Sequence, residues 1–432
     1  MRNGLNPHLS HPSKVTETNC DAELFKLNCA LTNWASSFDH FVALPSAPEA
    51  PRGRFGIFAS VTEATRIEHP SELEPLLTQS RSKPAVFLLG YELGRAWLNL
   101  PEVVAPRGQP LGLYLTLGEC LELDGQDASV TSFGPTTFKA ENYQPERQPH
   151  EEAVVWEKVR TDQDHSDGIH AVHEAIRRGD IYQANLTRRF RLRGQFDANS
   201  LFNELLASNP VGHMAWLKAG ETEVLSNTME TLLEYDPETR LASSYPIKGT
   251  QPRIEEGRTP PPLDLIPKER AEHVMIVDLI RNDLGRICEP GTVRVPSLLG
   301  IEGYRGVWHG VSKVEGKVRE DVSSYDMLAA LFPGGSITGA PKRKAVEVLA
   351  GLEPEPRGFY TGTIGVVWPD GRISASILIR TLVHDNEGWS MNVGGGIVID
   401  SVAERELDEM DEKSAAVKLA LRALKSHKRL SN

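Results

Sequence analysis

Glycine and proline residues divide this chain more clearly than its charges do. The 432 residues include 36 glycines and 29 prolines. Between these breaks lie short apolar runs, such as 85–90 and 111–117, with the length and composition typical of strands. Longer stretches with helical spacing occupy 165–178, 268–284, 343–352 and about 404–425. The sequence therefore predicts a fold that mixes helices and strands.

Two clusters of glycine and proline residues indicate how the chain is organised. Glycine and proline concentrate at about 133–152, which predicts a boundary between an N-terminal region, 1–150, and a second domain, 151–425. Five prolines fall within 250–267, which predicts a long surface loop between a strand and a helix. Long loops in compact domains often cover binding sites, so this loop is a candidate lid.

Composition excludes several classes of protein. The chain carries 47 basic and 59 acidic residues, a formal net charge of −12, which argues against a nucleic-acid partner. No stretch approaches the roughly 18 apolar residues that a membrane helix needs, and the polar N-terminus does not resemble a signal peptide. The four cysteines are scattered and form no C-x-x-C pair. We expect a cytoplasmic protein without a membrane partner.

A glycine-rich turn at 332–342 is the first candidate for chemistry. It lacks the lysine and hydroxyl that should follow the last glycine of a phosphate loop, so nucleotide binding is disfavoured. One interpretation is an anion-binding helix start, with Ser336 or Thr338 facing a negative ligand. The other is a plain turn with Pro341 at the first helical position.

Acidic residues on the final predicted helix form the second candidate. Glu406 and Glu409 are spaced i, i+3 and share a face, beside Glu404 and Asp408. With a third carboxylate such as Glu272, they would suit a hard cation like Mg²⁺. An acidic, solvated first turn that favours the helix dipole is the alternative.

Lys248 and His309 are ambiguous when they are considered alone. Lys248 lies in the segment Pro-Ile-Lys-Gly-Thr, where a solvated lysine is the ordinary interpretation. His309 lies in an apolar stretch, where a core histidine is the default. A functional role for either residue can be inferred only from the segments around it.

Taken together, these segments resemble the chorismate-utilising enzyme family over about residues 155–425. The resemblance rests on an ordered series of motifs rather than on any one of them. The series comprises 179–186, 246–250, 271–279, 281–285, 334–342, 358–365, 379–381, 394–400 and the final acidic helix through Lys413. It implies an α/β (α+β) fold of two packed antiparallel β-sheets surrounded by helices, with the active site in a cleft between them.

The resemblance also implies roles for particular residues. Mg²⁺ would be the cofactor, bound by Glu272, Glu406 and Glu409. Arg380 and Tyr360 match residues that receive the enolpyruvyl carboxylate of chorismate, where a guanidinium fork suits bidentate pairing. Other positions matching the substrate pocket are Gly249, Thr250, His309, Ser336, Gly394, Gly396 and Lys413.

Lys248 indicates which reaction of the family to expect. Anthranilate synthases have alanine at this position, whereas aminodeoxychorismate synthases have the lysine and use it as a covalent nucleophile. Glu230 matches the family's general acid, although Thr-Met-Glu here replaces the usual Ser-Pro-Glu. The resemblance implies conversion of chorismate and ammonia to 4-amino-4-deoxychorismate, for para-aminobenzoate and folate synthesis. Anthranilate synthesis is the alternative.

The remaining question is which protein supplies the ammonia. None of the four cysteines lies in the Gly-x-Cys-x-Gly turn of a glutaminase. A separate glutamine amidotransferase subunit is therefore the partner that the resemblance implies.

Overall fold

The computed structural model describes residues 17–46, 55–79, 81–101, 105–106, 108–139, 153–252, 267–304 and 307–426. The helices are α1 (Glu17–Ser36), α2 (Pro70–Thr78), α3 (Leu93–Trp97), α4 (Asp162–Arg177), α5 (Ala198–Ser208), α6 (Pro267–Gly285), α7 (Ser324–Leu331), α8 (Lys342–Leu352) and α9 (Ala403–Ser426). The strands are β1 (Phe41–Leu44), β2 (Phe55–Ile67), β3 (Ala85–Leu89), β4 (Gly112–Asp124), β5 (Ser129–Ser132), β6 (Val155–Lys158), β7 (Gln183–Arg193), β8 (His213–Ala219), β9 (Thr222–Thr228), β10 (Thr231–Asp236), β11 (Leu241–Tyr245), β12 (Ile247–Pro252), β13 (Arg294–Tyr304), β14 (Val307–Lys317), β15 (Gly339–Ala340), β16 (Thr363–Val367), β17 (Ile373–Ile377), β18 (Thr381–Asp385) and β19 (Gly388–Ile397).

The strands pair antiparallel and form two long runs joined at one ladder. The first run is β7, β19, β18, β9, β8, β1 and β2. The second is β4, β3, β16, β17, β10, β11 and β14. Pairing of β2 with β4 makes the two runs continuous. The predicted antiparallel α/β architecture is confirmed.

Apolar side chains divide into clusters that show where the core lies. One cluster joins β1, β2, β8 and β9 of the first run with β3 and β16 of the second, so it fills the space between the runs. A second cluster packs α1, α5 and α9 against the first run. A third packs α6 and α7 against the second run, and a small fourth lies under α4 and α8. Strands in the middle are therefore covered on both faces, which favours continuous apolar runs such as β3.

Strands from the N-terminal part of the chain belong to the same ladders as later ones. Strand β1 pairs with β8, and β3 pairs with β16 along its whole length. The predicted boundary at about 133–152 lies partly outside the described residues, since 140–152 is not described. The division into 1–150 and 151–425 stays a prediction.

Local signals explain where several elements begin. Helix α4 begins at Asp162, three residues before the predicted start, because Thr161 forms a capping box with Asp164. The prediction that a loop begins at 250 was wrong, because β12 continues through Pro252 and pairs with β14. Proline is tolerated there because it is the last residue of the strand. The rest of the predicted loop, 253–266, lies outside the described residues, and its role as a lid stays a prediction.

Within the described part of the chain, none of the helices combines the length and the apolar character needed to cross a membrane.

Candidate active site

A cavity of about 530 Å³ opens where the ends of both strand runs meet α9. It brings together eleven of the residues that the sequence singled out: Glu230, Lys248, Gly249, His309, Ser336, Tyr360, Arg380, Gly394, Gly396, Glu409 and Lys413. Residues more than 180 positions apart in the sequence thus line one space. A concave site with several convergent polar groups is the ordinary form of a small-molecule binding site.

Lys248 forms an ion pair at one side of this cavity. Its Nζ lies 2.8 Å from Oε2 of Glu272, which comes from α6. The Glu272 side chain is 6% exposed, whereas that of Lys248 is 25% exposed. The lysine is held on β12 by the ladder to β14. Lys248 therefore has a fixed backbone, a buried partner and a place in the cavity wall.

Glu230 lies between β9 and β10 and is buried at the cavity wall. Its backbone is fixed on both sides: its N–H donates to Oγ1 of Thr228 (3.3 Å), and its carbonyl accepts from the N–H of Ile377 (3.0 Å). A carboxyl group on so firmly held a segment is suited to act on one position of a bound ligand.

His309 contacts the segment that carries the lysine. Its Nδ1 donates to the carbonyl of Gly249 (3.4 Å), and the residue is 1% exposed. The side chain of Thr250, also predicted to belong to the substrate pocket, is outside the described part of the structure.

Arg380 is the cation that is best placed for an anionic ligand. Burial lowers the pKa of its guanidinium, and no charged group among the described residues offsets that effect. Its backbone has φ of 51°, a left-handed conformation that is uncommon for a residue with a side chain and that concentrates at functional sites. Tyr360 lines the same cavity, and burial raises the pKa of its phenol. An anion would compensate this half-buried guanidinium.

The glycine-rich strand β19 forms a further wall. Lys413 of α9 donates from Nζ to the carbonyl of Gly394 (2.7 Å) and pairs with Oε1 of Glu409 (2.8 Å). A Cβ on Gly394 would lie 2.9 Å from the carbonyl oxygen of Leu186 on β7. Glycine is therefore required by the close approach of β19 to β7, and the same approach opens the cavity.

The glycine-rich turn contributes Ser336 but not Thr338. The Ser336 Oγ is buried, and it has no hydrogen-bond partner among the described residues, so it can bind a ligand. The alternative prediction, that Thr338 faces a ligand, was wrong. Its hydroxyl donates to the carbonyl of Gly334 (2.9 Å), and the residue is fully buried. At the start of α8, Lys342 is buried and pairs with Asp283 (2.7 Å), and anion binding at this helix start stays a prediction.

The three predicted metal ligands have suitable donor chemistry but different surroundings. Glu272 and Glu406 are each 5% exposed, and a Cβ on Gly395 would lie 2.9 Å from Oε2 of Glu406. Carboxylate oxygens are the ligands that Mg²⁺ prefers. Glu272 and Glu409 are engaged by Lys248 and Lys413. Among the described residues, no three histidine, cysteine or acidic side chains form a group that could hold a metal ion.

Several cavity residues were not assigned a role from the sequence. Gln183 and Asn185 lie two positions apart on β7 and therefore face the same side, toward the cavity. Both occur in the motif 179–186, so their spacing on a strand was the signal that could have identified them. Other unassigned lining residues are Met229, Ile276, Asn392, Arg405, Asp408 and Glu412.

Comparison with known proteins identifies the kind of enzyme to which this site corresponds. Residues 46–418 match the family model described as chorismate binding enzyme. The chain is 33% identical to aminodeoxychorismate synthase component 1 of Escherichia coli (strain K12) over 88% of each chain. It is 37% identical to anthranilate synthase component 1 of Spirochaeta aurantia, over 63% of this chain and 57% of that protein.

Solved structures show the same fold. Anthranilate synthase component I from Streptococcus pneumoniae TIGR4 superposes with a TM-score of 0.74 at 23% identity, covering 84% of this chain and 92% of that chain. The menaquinone-specific isochorismate synthase MenF from Escherichia coli gives a TM-score of 0.71 at 15% identity, covering 98% of this chain and 93% of that chain. The predicted fold is thus confirmed by relatives of different activity.

Proposed function

The chain belongs to the chorismate-binding enzyme family, and from that premise we propose that it is an aminodeoxychorismate synthase component I. In this proposal chorismate and ammonia are converted to 4-amino-4-deoxychorismate and water. The observation that carries the proposal is Lys248, which faces the cavity from β12 with a buried carboxylate partner.

Substrate binding is assigned to the cationic and hydroxyl groups of the cavity. Chorismate is a dianion, and the half-buried guanidinium of Arg380, with Tyr360 in the same cavity wall, receives the enolpyruvyl carboxylate. The hydroxyl of Ser336 offers a further hydrogen bond. Glu272, Glu406 and Glu409 are the proposed Mg²⁺ ligands because of their carboxylate chemistry, and they would have to converge from their present separate positions to hold the ion, which would supply positive charge against the ring carboxylate.

The nucleophile in this proposal is the amine of Lys248. Paired with Glu272, the lysine carries a proton that it must lose before it attacks. The neutral amine then forms a bond to C2 of chorismate while the C4 hydroxyl departs as water. Ammonia attacks C4 next, the bond between C2 and the lysine breaks, and the free amine is restored. Two substitutions replace one difficult step and leave nitrogen on the original face of C4.

Glu230 is assigned the proton transfers at the leaving group. Its carboxyl protonates the departing C4 hydroxyl and later supports release of the lysine. Its burial and its fixed backbone support this role, because a proton donor must be held within hydrogen-bond reach of the leaving oxygen.

Anthranilate synthesis is the second candidate, since relatives of that activity match at 37% and 39% identity over about three fifths of the chain. Their reaction aminates C2 and eliminates pyruvate. A lysine amine directed at C2 would occupy the position that ammonia needs there, so Lys248 favours the first candidate. In either case we propose that a glutamine amidotransferase subunit supplies the ammonia.

The test is product analysis by mass spectrometry. The purified chain would be incubated with chorismate, Mg²⁺ and an ammonium salt at mildly alkaline pH, beside Lys248→Ala. We expect aminodeoxychorismate from the wild type, and from the variant no product but retained chorismate binding. Anthranilate or isochorismate from the wild type, or full activity of the variant, would overturn the proposal.

A further inference from the structure

A second polar centre lies behind the cavity wall and is organised around Arg357. The residue is 3% exposed, and its guanidinium is nearly fully bonded. Nε and Nη2 pair with the two carboxylate oxygens of Glu353 at 2.7 and 2.9 Å. Its plane also stacks on the ring of Tyr91, with 4.3 Å between Cζ and the ring centroid. Arg357 does not itself line the cavity.

The remaining donors of this guanidinium reach two segments that do line the cavity. Nη2 donates to the carbonyl of Asn185 on β7 (2.6 Å), and Nη1 donates to the carbonyl of Ile337 (2.8 Å), next to Ser336. Both carbonyls come from residues in the cavity wall. The planar fork therefore bonds β7 and the glycine-rich turn at the same time and ties both to the segment of Arg357, as a single point charge could not.

Glu92, from the N-terminal part of the chain, fixes the segment that follows Arg357. Its Oε1 accepts from the backbone N–H of Arg357 (2.6 Å) and its Oε2 from that of Gly358 (3.0 Å). Gly358 has φ of 66°, and its carbonyl accepts from the N–H of Tyr91 (2.8 Å). Two residues later the same segment presents Tyr360 to the cavity.

We propose that Arg357 and Glu92 are positioning residues, which hold Tyr360, Ser336 and Asn185 in the relative geometry that chorismate binding requires. Arg357 is bonded to β7 and to the glycine-rich turn, and Glu92 is bonded to the segment that leads to Tyr360. β7 and the glycine-rich turn are also joined directly, because the N–H of Asn185 donates to the carbonyl of Thr338 (2.9 Å) and β15 pairs with β7. Arg357 and Glu92 add the link from these two segments to the segment that carries Tyr360. A displacement of about 1 Å in such a wall is enough to change turnover by roughly 10²-fold.

The proposal requires only that the chain uses chorismate, and it does not depend on which product is formed. It is therefore tested by chorismate consumption and by direct binding of chorismate. The variants are Arg357→Lys, which keeps the charge but loses the fork, and Glu92→Gln, which keeps the size but loses the charge. The matched control is Glu122→Gln, since Glu122 is also a buried glutamate that joins early and late strands, through Nε1 of Trp368 (3.0 Å), but lies outside this cavity wall.

We expect both test variants to raise the KM and Kd for chorismate about tenfold or more, with a far-ultraviolet spectrum and melting temperature close to those of the control. A purely structural role would lower apparent kcat in proportion to the loss of folded protein and leave KM unchanged. KM and Kd within twofold of the control for both variants would overturn the proposal. A change in only one variant would remove the other residue from it. If Arg357→Lys does not fold, Glu92→Gln decides.

Discussion

The Nζ of Lys248 and Oε2 of Glu272 lie 2.8 Å apart, which joins the proposed nucleophile to a proposed metal ligand in one ion pair. An opposite charge at this distance favours the charged form of a lysine amine. The pair also gives the buried carboxylate of Glu272 a counter-charge. In the proposed mechanism the pair must open before the amine can react, because only the neutral amine is a nucleophile.

Replacing Arg380 should weaken chorismate binding more than it changes stability. Arg380→Met removes a half-buried cation from the cavity wall, and a hydrogen bond to a charged group is worth about 1.5–3 kcal/mol. We expect the Kd for chorismate to rise roughly 10- to 100-fold. Isothermal titration of the wild type and the variant measures this change, with Arg372→Met as a control on a remote arginine. An unchanged Kd would contradict the assignment of Arg380.

Glu230→Gln should slow the reaction without removing the substrate site. An amide cannot donate the proton that the departing hydroxyl needs, so kcat should fall about 10²- to 10⁴-fold. The limb of the pH–rate profile on which activity falls as this acid ionises should also disappear. Steady-state rates across a pH series would show both effects. A profile with the same shape as that of the wild type would argue against Glu230 as the acid.

The carboxyl of Glu92 should make stability depend on pH. Burial raises its pKa from 4.5 to about 7, so in the folded protein it keeps its proton over a range in which the unfolded chain has lost it. Its contribution to stability is then complete below pH 4.5 and is lost as pH rises through about 7, by roughly 3 kcal/mol in all.

Urea unfolding of the wild type and Glu92→Gln at about pH 5 and about pH 8 tests this sign. The free energy of unfolding of the wild type should fall relative to that of the variant between the two pH values. If the unfolding free energies of the wild type and the variant differ by the same amount at both pH values, Glu92 does not titrate between them.

The buried pair Lys342–Asp283 should contribute to stability rather than to substrate binding. Lys342→Met leaves Asp283 buried without its partner, which we expect to cost about 3–5 kcal/mol. Lys344 is the matched control on the same helix, because its pair with Glu347 is exposed and Lys344→Met should cost less than about 1 kcal/mol. Denaturant midpoints of both variants measure the difference. Equal midpoints would contradict this account of the turn.

The sequence predicts the helices better than it predicts the contacts between them. The predicted stripe of α9 was Leu407, Met410, Val417, Leu421 and Leu424, which recur at helical spacing, and all of them except Leu407 are buried. The order of the strands was not derivable, because β3 pairs with β16 across more than 270 residues of intervening sequence. Local patterns carry no information about partners that distant.

The candidate site shows the same limit. Lys248 and Arg380 were found by resemblance to family motifs, and the structure brings them to one cavity. Arg357 was not found, although it is in the segment before Tyr360, because its importance depends on carbonyls of β7 and of the glycine-rich turn. The continuation of β12 through Pro252 was missed for a similar reason, since tertiary pairing with β14 outweighs the local preference of proline.

The central claim is that Lys248 forms a covalent bond to the substrate. Its most direct test is intact-protein and peptide mass spectrometry of the chain quenched with chorismate and Mg²⁺ in the absence of ammonia. The account predicts a mass increase equal to chorismate minus water, located on Lys248, which disappears when ammonium is added and is absent in Lys248→Arg. Formation of aminodeoxychorismate by a chain that never carries this adduct, or an adduct on another residue, would contradict it.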